Sequence, residues 1–314
     1  MDGHVLVTGA TGYIGGRLLR RFEERGRAVR CLVREPSRLS ATATTTEVVT
    51  GDCLNAASLD RALAGGVQAA YYLVHSMAGG VDFAETDRRA AETFGQAAAR
   101  AGVQRIIYLG GLTGASGSLS PHLKSRKETG EVLRASGVPV IEFRAAVVIG
   151  AGSLSFKIIA GLVERLPVMI CPRWVTTPTQ PIAIDDVLAF LEAAVDLPEH
   201  VRGIFEIGGP DVVSYGDMMR IYARLRGLHR LLLPVPVLTP FLSGLWLALF
   251  TPAQARVGRA LIEGLRTATV VRSPAARETF RLEPMPIRTA FARAIEEAAR
   301  MAPTHESAPG RKVA

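Results

Sequence analysis

Glycines at positions 9, 12 and 15, set between an apolar run at 4–8 and a helical repeat, constrain this chain more than any other feature. In a strand–turn–helix of this spacing each glycine has its own physical job. Gly9 permits the tight turn, Gly12 lets a pyrophosphate approach the backbone, and Gly15 lets helix and strand pack closely. Thr11, Tyr13 and Ile14 fill the turn and open the helix. The first N–H groups of that helix, and its positive dipole end, suit a phosphate. Ile14, Leu18, Leu19 and Phe22 recur on one helix face, and Gly26 ends it. The pattern predicts a dinucleotide-binding unit.

Apolar runs at 28–33, 47–50, 69–74, 104–109 and 138–149 alternate with helical stretches at 56–63, 81–101 and 123–135. Runs that are apolar throughout belong to strands buried on both faces, hence to a parallel sheet. Right-handed crossovers then make residues 1–150 a doubly wound α/β sheet, a Rossmann core. A helix at 185–195 and a strand at 203–207 return the chain to that sheet within about 181–209. Residues 151–180 and 210–290, with many prolines and Trp174 and Trp246, are expected to form a small discontinuous C-terminal lobe, the substrate part of a mixed segment 151–302. Ser214-Tyr215-Gly216-Asp217 reads as a helix-start capping box. Residues 303–314 are polar and are expected to be a disordered tail.

The end of the second strand selects the dinucleotide. A carboxylate there would bind a ribose 2′-hydroxyl, and cations would accept a 2′-phosphate. Arg34, Ser37 and Arg38 stand in that place, so NADP(H) is expected over NAD(H). Asp52, followed by Cys53 and Leu54, closes the third strand, where its carboxylate suits an adenine amino group or the cap of the next helix. Val74 and His75 close the fourth strand beside the expected nicotinamide, His75 either acting directly or as a turn residue.

Of 314 residues, 48% are hydrophobic and 21% charged, which excludes a disordered chain. The net charge of +8 comes almost wholly from scattered arginines, with lysine only at 124, 127, 157 and 312. No basic stripe interleaved with aromatics marks a nucleic-acid site. Cys31, Cys53 and Cys171 are too few and too scattered for a disulfide framework or a zinc site, so no metal is expected and a reducing, cytoplasmic setting is. No targeting segment is visible. The run at 231–250 carries Pro234, Pro236 and Pro240, and its unbroken part falls short of the roughly 20 residues a bilayer span needs. Leu231, Leu232, Leu233, Phe241, Leu242, Leu245, Trp246 and Phe250 make it lobe core, the cover of an apolar ligand pocket, or, ranked last, a membrane-surface contact. An apolar small molecule is the expected partner, with oligomeric state left open.

Several motifs together resemble the extended and atypical branch of the short-chain dehydrogenase/reductase superfamily. They are the turn at 8–15, Gly51-Asp52, Ser125-Arg126-Lys127-Glu128, the helix end at 131–137, Arg144 with Gly150-Ala151-Gly152, and the junction at 181–187. The stretches at 71–77 and 171–175 resemble an NmrA-like NAD(P)H-binding group, itself similar to the NADPH-binding accessory subunit of respiratory complex I. The resemblance implies a Rossmann domain that holds NADP(H).

The departure from that family falls on its active site. Its reductases use a Tyr-x-x-x-Lys pair, and the aligned residues here are His122 and Arg126, with Thr113 the nearest hydroxyl to the family's upstream serine. Arginine can hold a ribose hydroxyl but stays protonated, so it relays no proton. Histidine, with an ordinary pKa of about 6.5, is a competent acid as imidazolium. The leading expectation is an NADP(H)-dependent oxidoreductase in which imidazolium His122 donates the proton. A non-catalytic NADP(H)-binding sensor or assembly protein and a non-redox isomerase or cyclase stay open beside it.

Overall fold

The computed structural model describes residues 4–39, 42–75, 83–114, 119–235 and 267–301. Seven parallel strands form the central sheet: β1 (His4–Thr8), β2 (Val29–Val33), β3 (Thr46–Thr50), β4 (Val67–Tyr72), β5 (Arg105–Gly111), β6 (Val140–Ala145) and, further along the chain, β11 (Gly203–Ile207). Their order is β11-β6-β5-β4-β1-β2-β3, so the direction of winding reverses between β1 and β4. Ligands bind at such a reversal, beyond the carboxyl ends of the strands. The expected doubly wound fold is what the chain forms.

Helices α1 (Tyr13–Glu24), α2 (Ala56–Leu63), α3 (Phe83–Arg100) and α4 (Pro121–Ala135) connect the strands of the first half. Because strand side chains alternate between faces, each strand feeds two cores. Val5, Val7, Tyr71, Ile107 and Phe143 pack with α1 on one face. Leu6, Tyr72, Ile106 and Tyr108 pack with Phe94 and Leu133 on the other. Each large side chain buried this way contributes about 1.5–3 kcal/mol.

The apolar run at 138–149 was expected as one strand, and the structure breaks it in two. Ala145 is the last residue of β6 with a partner on either side, opposite Gly111 of β5 and Ile207 of β11. With both neighbours ending there, the ladder stops. β7 (Val148–Ile149) pairs instead with β10 (Ile182–Ala183).

The second half continues through α5 (Leu154–Arg165), β8 (Val168–Cys171), β9 (Pro178–Thr179), α6 (Ile184–Val195), β12 (Val213–Ser214), α7 (Tyr215–Leu225), β13 (Leu231–Pro234), α8 (Ala275–Phe280) and α9 (Ile287–Met301). α6 covers the α1 face of the sheet. Phe156, Leu162, Trp174, Met219, Tyr222 and Phe291 form a third, separate core. The capping box at Ser214 and Asp217 is present in both directions. Trp246, most of 231–250 and the tail at 303–314 lie outside the described residues.

The helix that carries His122 begins two residues before the expected 123, because Ser120 caps it, accepting from Leu123 N, and Pro121 at the first position has its φ preset. A buried charge cluster fixes this helix on the sheet. Glu142 of β6 has no exposure; it accepts from Arg144 Nε at 2.6 Å and pairs with Arg134 of α4.

Candidate active site

At the glycine turn the backbone itself accounts for the spacing. Gly9 has φ +74°, and a Cβ there would lie 2.5 Å from the carbonyl oxygen of Leu73. A Cβ on Gly15 would lie 2.3 Å from the carbonyl oxygen of Gly9. Gly12 differs: Gly9 O, at 3.1 Å, is the one atom within 4 Å of its Cβ position. Thr11 and Gly12 are exposed. Gly12 caps α1 with no side-chain hydrogen bond, so the helix offers its N–H groups outward. An open glycine cradle before an uncapped helix start fits a pyrophosphate. The side chains of Tyr13 and Ile14 turn elsewhere. The Tyr13 hydroxyl packs under Gly150, and Ile14 joins the α1-side core.

Beyond β2, Arg34, Ser37 and Arg38 are all exposed. Arg34 makes no ion pair among the described residues, and Arg38 lies 3.9 Å from Glu35. Asp52 accepts from Leu54 N at 2.9 Å. It does not cap α2, since Asn55 does, accepting from Ser58 N. Asn55 sits at the one position whose side chain reaches the N3 amide, three residues too far for Asp52. Leu54 is 41% exposed, and Cys53 is core, its thiol pushed up to about 12 by burial and then by Asp52. Cys53 can therefore meet a ligand only through its backbone.

Across the reversal, β4 ends and the chain runs through Leu73, Val74 and His75. Thr8 Oγ1 donates to Tyr71 O at 2.9 Å and accepts from Leu73 N at 3.3 Å, tying this segment to the glycine turn. His75 lies 2.7 Å through Nδ1 from Asp87 Oδ2 and 2.9 Å through Nε2 from His122 Nδ1. Ser125 Oγ donates to the same Asp87 oxygen at 3.1 Å. Asp87, on α3, is 3% exposed. Three elements thus converge on a line Asp87–His75–His122, with the rings of the two histidines 4.8 Å apart. The other ring nitrogen of His122, Nε2, has no hydrogen-bond partner among the described residues.

Two sequence expectations change here. His122 is not an imidazolium near neutral pH: burial, then the positive charges of His75 and Arg126, push it down to about 3. Burial also lowers His75, against the Asp87 hydrogen bond that raises it. Arg126, expected on a ribose, donates to Leu109 O and stacks over Tyr108 at 5.1 Å, because α4 lays its stem along β5. Thr113 lies past the end of β5, and no hydrogen bond joins it to either histidine among the described residues.

A glycine cradle on one side of the sheet's reversal and a hydrogen-bonded histidine pair on the other give a dinucleotide-binding Rossmann fold. Residues 9–147 match the family of NAD(P)H-binding domains. The chain is 30% identical over 231 residues to the (4-alkanoyl-5-oxo-2,5-dihydrofuran-3-yl)methyl phosphate reductase of Streptomyces griseus, covering 71% of this chain and 74% of that protein. It is 29% identical over 242 residues to the ceramide reductase of Caulobacter vibrioides, covering 74% of each. In fold it is similar to MoeE5 in complex with UDP-glucuronic acid and NAD, with TM-score 0.73, 20% identity, and 95% and 99% of the two chains covered. It is likewise similar to the Bordetella bronchiseptica enzyme WbmH in complex with NAD+, with TM-score 0.68, 16% identity, and 96% and 99% covered. The chain belongs to the short-chain dehydrogenase/reductase superfamily and binds a nicotinamide dinucleotide. Among the described residues, no helix is long and apolar enough to cross a membrane.

Proposed function

We propose that this protein is an NADPH-dependent reductase of a carbonyl, or of a carbon–carbon double bond conjugated to one, in a small molecule with an apolar acyl chain. The observation that carries the reading is the histidine pair itself: it lies at the switch point, across the reversal from the glycine turn, with His122 Nε2 lacking a hydrogen-bond partner among the described residues. A sensor has no need of a proton path at that place. When bound, the nicotinamide supplies hydride. The chain holds the dinucleotide through the turn at 9–15, with Asp52 and Leu54 flanking the adenine, and it supplies the proton through His122. The relatives named for an alkanoyl substrate and for ceramide both support a fatty chain on the substrate, as does the apolar run at 231–250. Three buried free thiols suit a reducing, cytoplasmic setting.

The test is purified protein with NADPH and a panel of acyl-butenolides and long-chain keto-amides, each offered at several chain lengths. NADPH consumption that improves with chain length, with the reduced product found by mass spectrometry, is the expected result. NADPH bound but never consumed would exclude the reductase and favour a sensor.

The cofactor preference is read separately. Arg34→Ala is expected to weaken NADPH by roughly ten- to hundredfold, the worth of one or two charge-assisted hydrogen bonds, and to leave NADH nearly unchanged. Equal losses for both in calorimetric titration would remove Arg34 as selector.

A further inference from the structure

Asp87 occupies the apolar stripe of α3, in line with Ala90, Ala91, Phe94, Ala97 and Ala98, all buried. Dinucleotide binding needs no carboxylate at that place. A buried carboxylate is costly unless paired, and this one is matched to His75 and Ser125. An ionised carboxylate only accepts, so His75 Nδ1 carries a hydrogen. The hydrogen between the two rings then lies on either His75 Nε2 or His122 Nδ1. Its position decides whether His122 Nε2 is a donor or a bare lone pair.

We propose that Asp87, His75 and His122 form a proton wire in which neutral His122 hands the proton to substrate through Nε2 and the Asp87–His75 unit stores the proton that replaces it. The inference rests on the reductase reading above. In the loaded state His75 carries hydrogen on both nitrogens beside the Asp87 carboxylate, and His122 is neutral with hydrogen on Nε2. As hydride reaches the substrate, negative charge grows on its carbonyl or enolate oxygen. That oxygen takes the Nε2 proton of His122. His122 Nδ1 takes the Nε2 proton of His75, and each N–H bonding pair stays on its nitrogen. His75 ends neutral, its Nδ1 hydrogen still on Asp87. One hydride and one proton have entered the substrate, and one proton from solvent reloads the wire. An imidazole passes a proton this way without ever becoming a cation.

The positions favour charge on His75 over charge on His122. His75 touches the carboxylate, whereas His122 is the second residue of α4, at the positive end of the helix. Among the described residues, the groups around the pair are Asp87 from α3 and Ser125 and Arg126 from α4, with Tyr72 of β4 and Tyr108 of β5 beside Asp87 and Arg126. Burial pushes both phenols upward, so they stay neutral. Arg126 repels a proton on either ring, and Asp87 is the one carboxylate among the described residues that attracts it. Asp87 and His75 act through His122 and are positioning residues.

The wire is tested by two measurements on the full chain. The first is nitrogen-15 NMR of imidazole-labelled protein without dinucleotide. A shared hydrogen between His75 Nε2 and His122 Nδ1 is expected, with both rings moving together as pH changes, and Asp87→Asn should shift the His75 tautomer. The second is turnover in mixtures of light and heavy water. Two protons moving in one step give a bowed dependence on deuterium fraction, which should become linear in His75→Gln. Asp87→Asn and His75→Gln should each lower kcat by roughly 10²–10⁴-fold, with KM within a few-fold; kcat falls as rising pH takes the proton from His75, and His75→Gln should remove that fall while Asp87→Asn should move it to lower pH. If Asp87→Asn does not fold, His75→Gln carries the comparison. Independent titration of the two rings, a linear dependence in the unaltered protein, or a wild-type pH profile in Asp87→Asn overturns the wire even if reduction occurs. A shared hydrogen in a protein that reduces nothing overturns the reductase reading, and with it the delivery step.

Discussion

Replacing His122 by alanine will lower turnover by roughly two to four orders of magnitude, the usual worth of a positioned proton donor. NADPH affinity should stay nearly constant, because His122 makes no contact with the glycine turn among the described residues. The loss should fall on kcat more than on KM, since the proton is needed only as charge develops on substrate. The same substitution has a second readout that needs no substrate. Burial, with His75 and Arg126, depresses His122 from 6.5 to about 3 in the folded chain. Below about 6.5 the unfolded chain binds a proton that the folded chain refuses, so acid favours unfolding. The stability this group contributes is complete above 6.5 and is lost as pH falls towards 3. The thermal midpoint should therefore drop on acidification, and drop less steeply in His122→Ala. Unchanged turnover in that variant would remove His122 from the chemistry. An unchanged acid slope would mean that His122 itself is charged in the folded protein.

The residues that carry the fold were legible because they are local. The three glycines, the apolar runs and the Ser214–Asp217 box each act within a few residues of chain, and the structure forms them where the pattern lies. The break after Ala145 was not legible, since it depends on where β5 and β11 end, and a one-dimensional run of apolar residues does not record its neighbours' lengths. His75 and His122 were found by alignment with the family's proton donor and by strand end, but their contact was not. Asp87 was missed altogether. It sits in Glu85-Thr86-Asp87-Arg88-Arg89, which reads as a solvated helix face. One signal was present: Asp87 keeps the 3–4 residue spacing of the alanines and Phe94 that follow, so a carboxylate falls on the buried stripe. The sign of the error on His122 has the same origin. An ordinary pKa belongs to an exposed imidazole, and its burial beside a second histidine and an arginine is purely tertiary.

Two glycines three residues apart should fail in different ways. Gly12→Val is expected to fold and to lose NADPH binding by ~100-fold or more, about 3 kcal/mol. Gly12 has φ −87° and ψ 172°, which any residue adopts. Its Cβ position meets Gly9 O alone, at 3.1 Å, so the added side chain crowds the turn a little and chiefly fills the open side, where a pyrophosphate must approach the backbone. Gly15→Ala adds a single methyl group, yet its Cβ would stand 2.3 Å from Gly9 O and 2.7 Å from Gly9 C. Neither atom can rotate away, because both belong to the turn, and Gly9 in turn abuts Leu73 O. The strain must move α1 off β1, and overpacking of this kind costs roughly 1–3 kcal/mol or more. Gly15→Ala should therefore lose stability and dinucleotide affinity together, as read by a thermal midpoint lower by several degrees beside a calorimetric titration. Gly12→Val should hold its melting temperature within about two degrees while its titration goes flat. Full affinity in Gly12→Val would move the phosphate site away from this turn. A Gly15→Ala protein as stable as the parent would show that α1 is free to shift, and that the close packing of helix on strand is not what the third glycine is for.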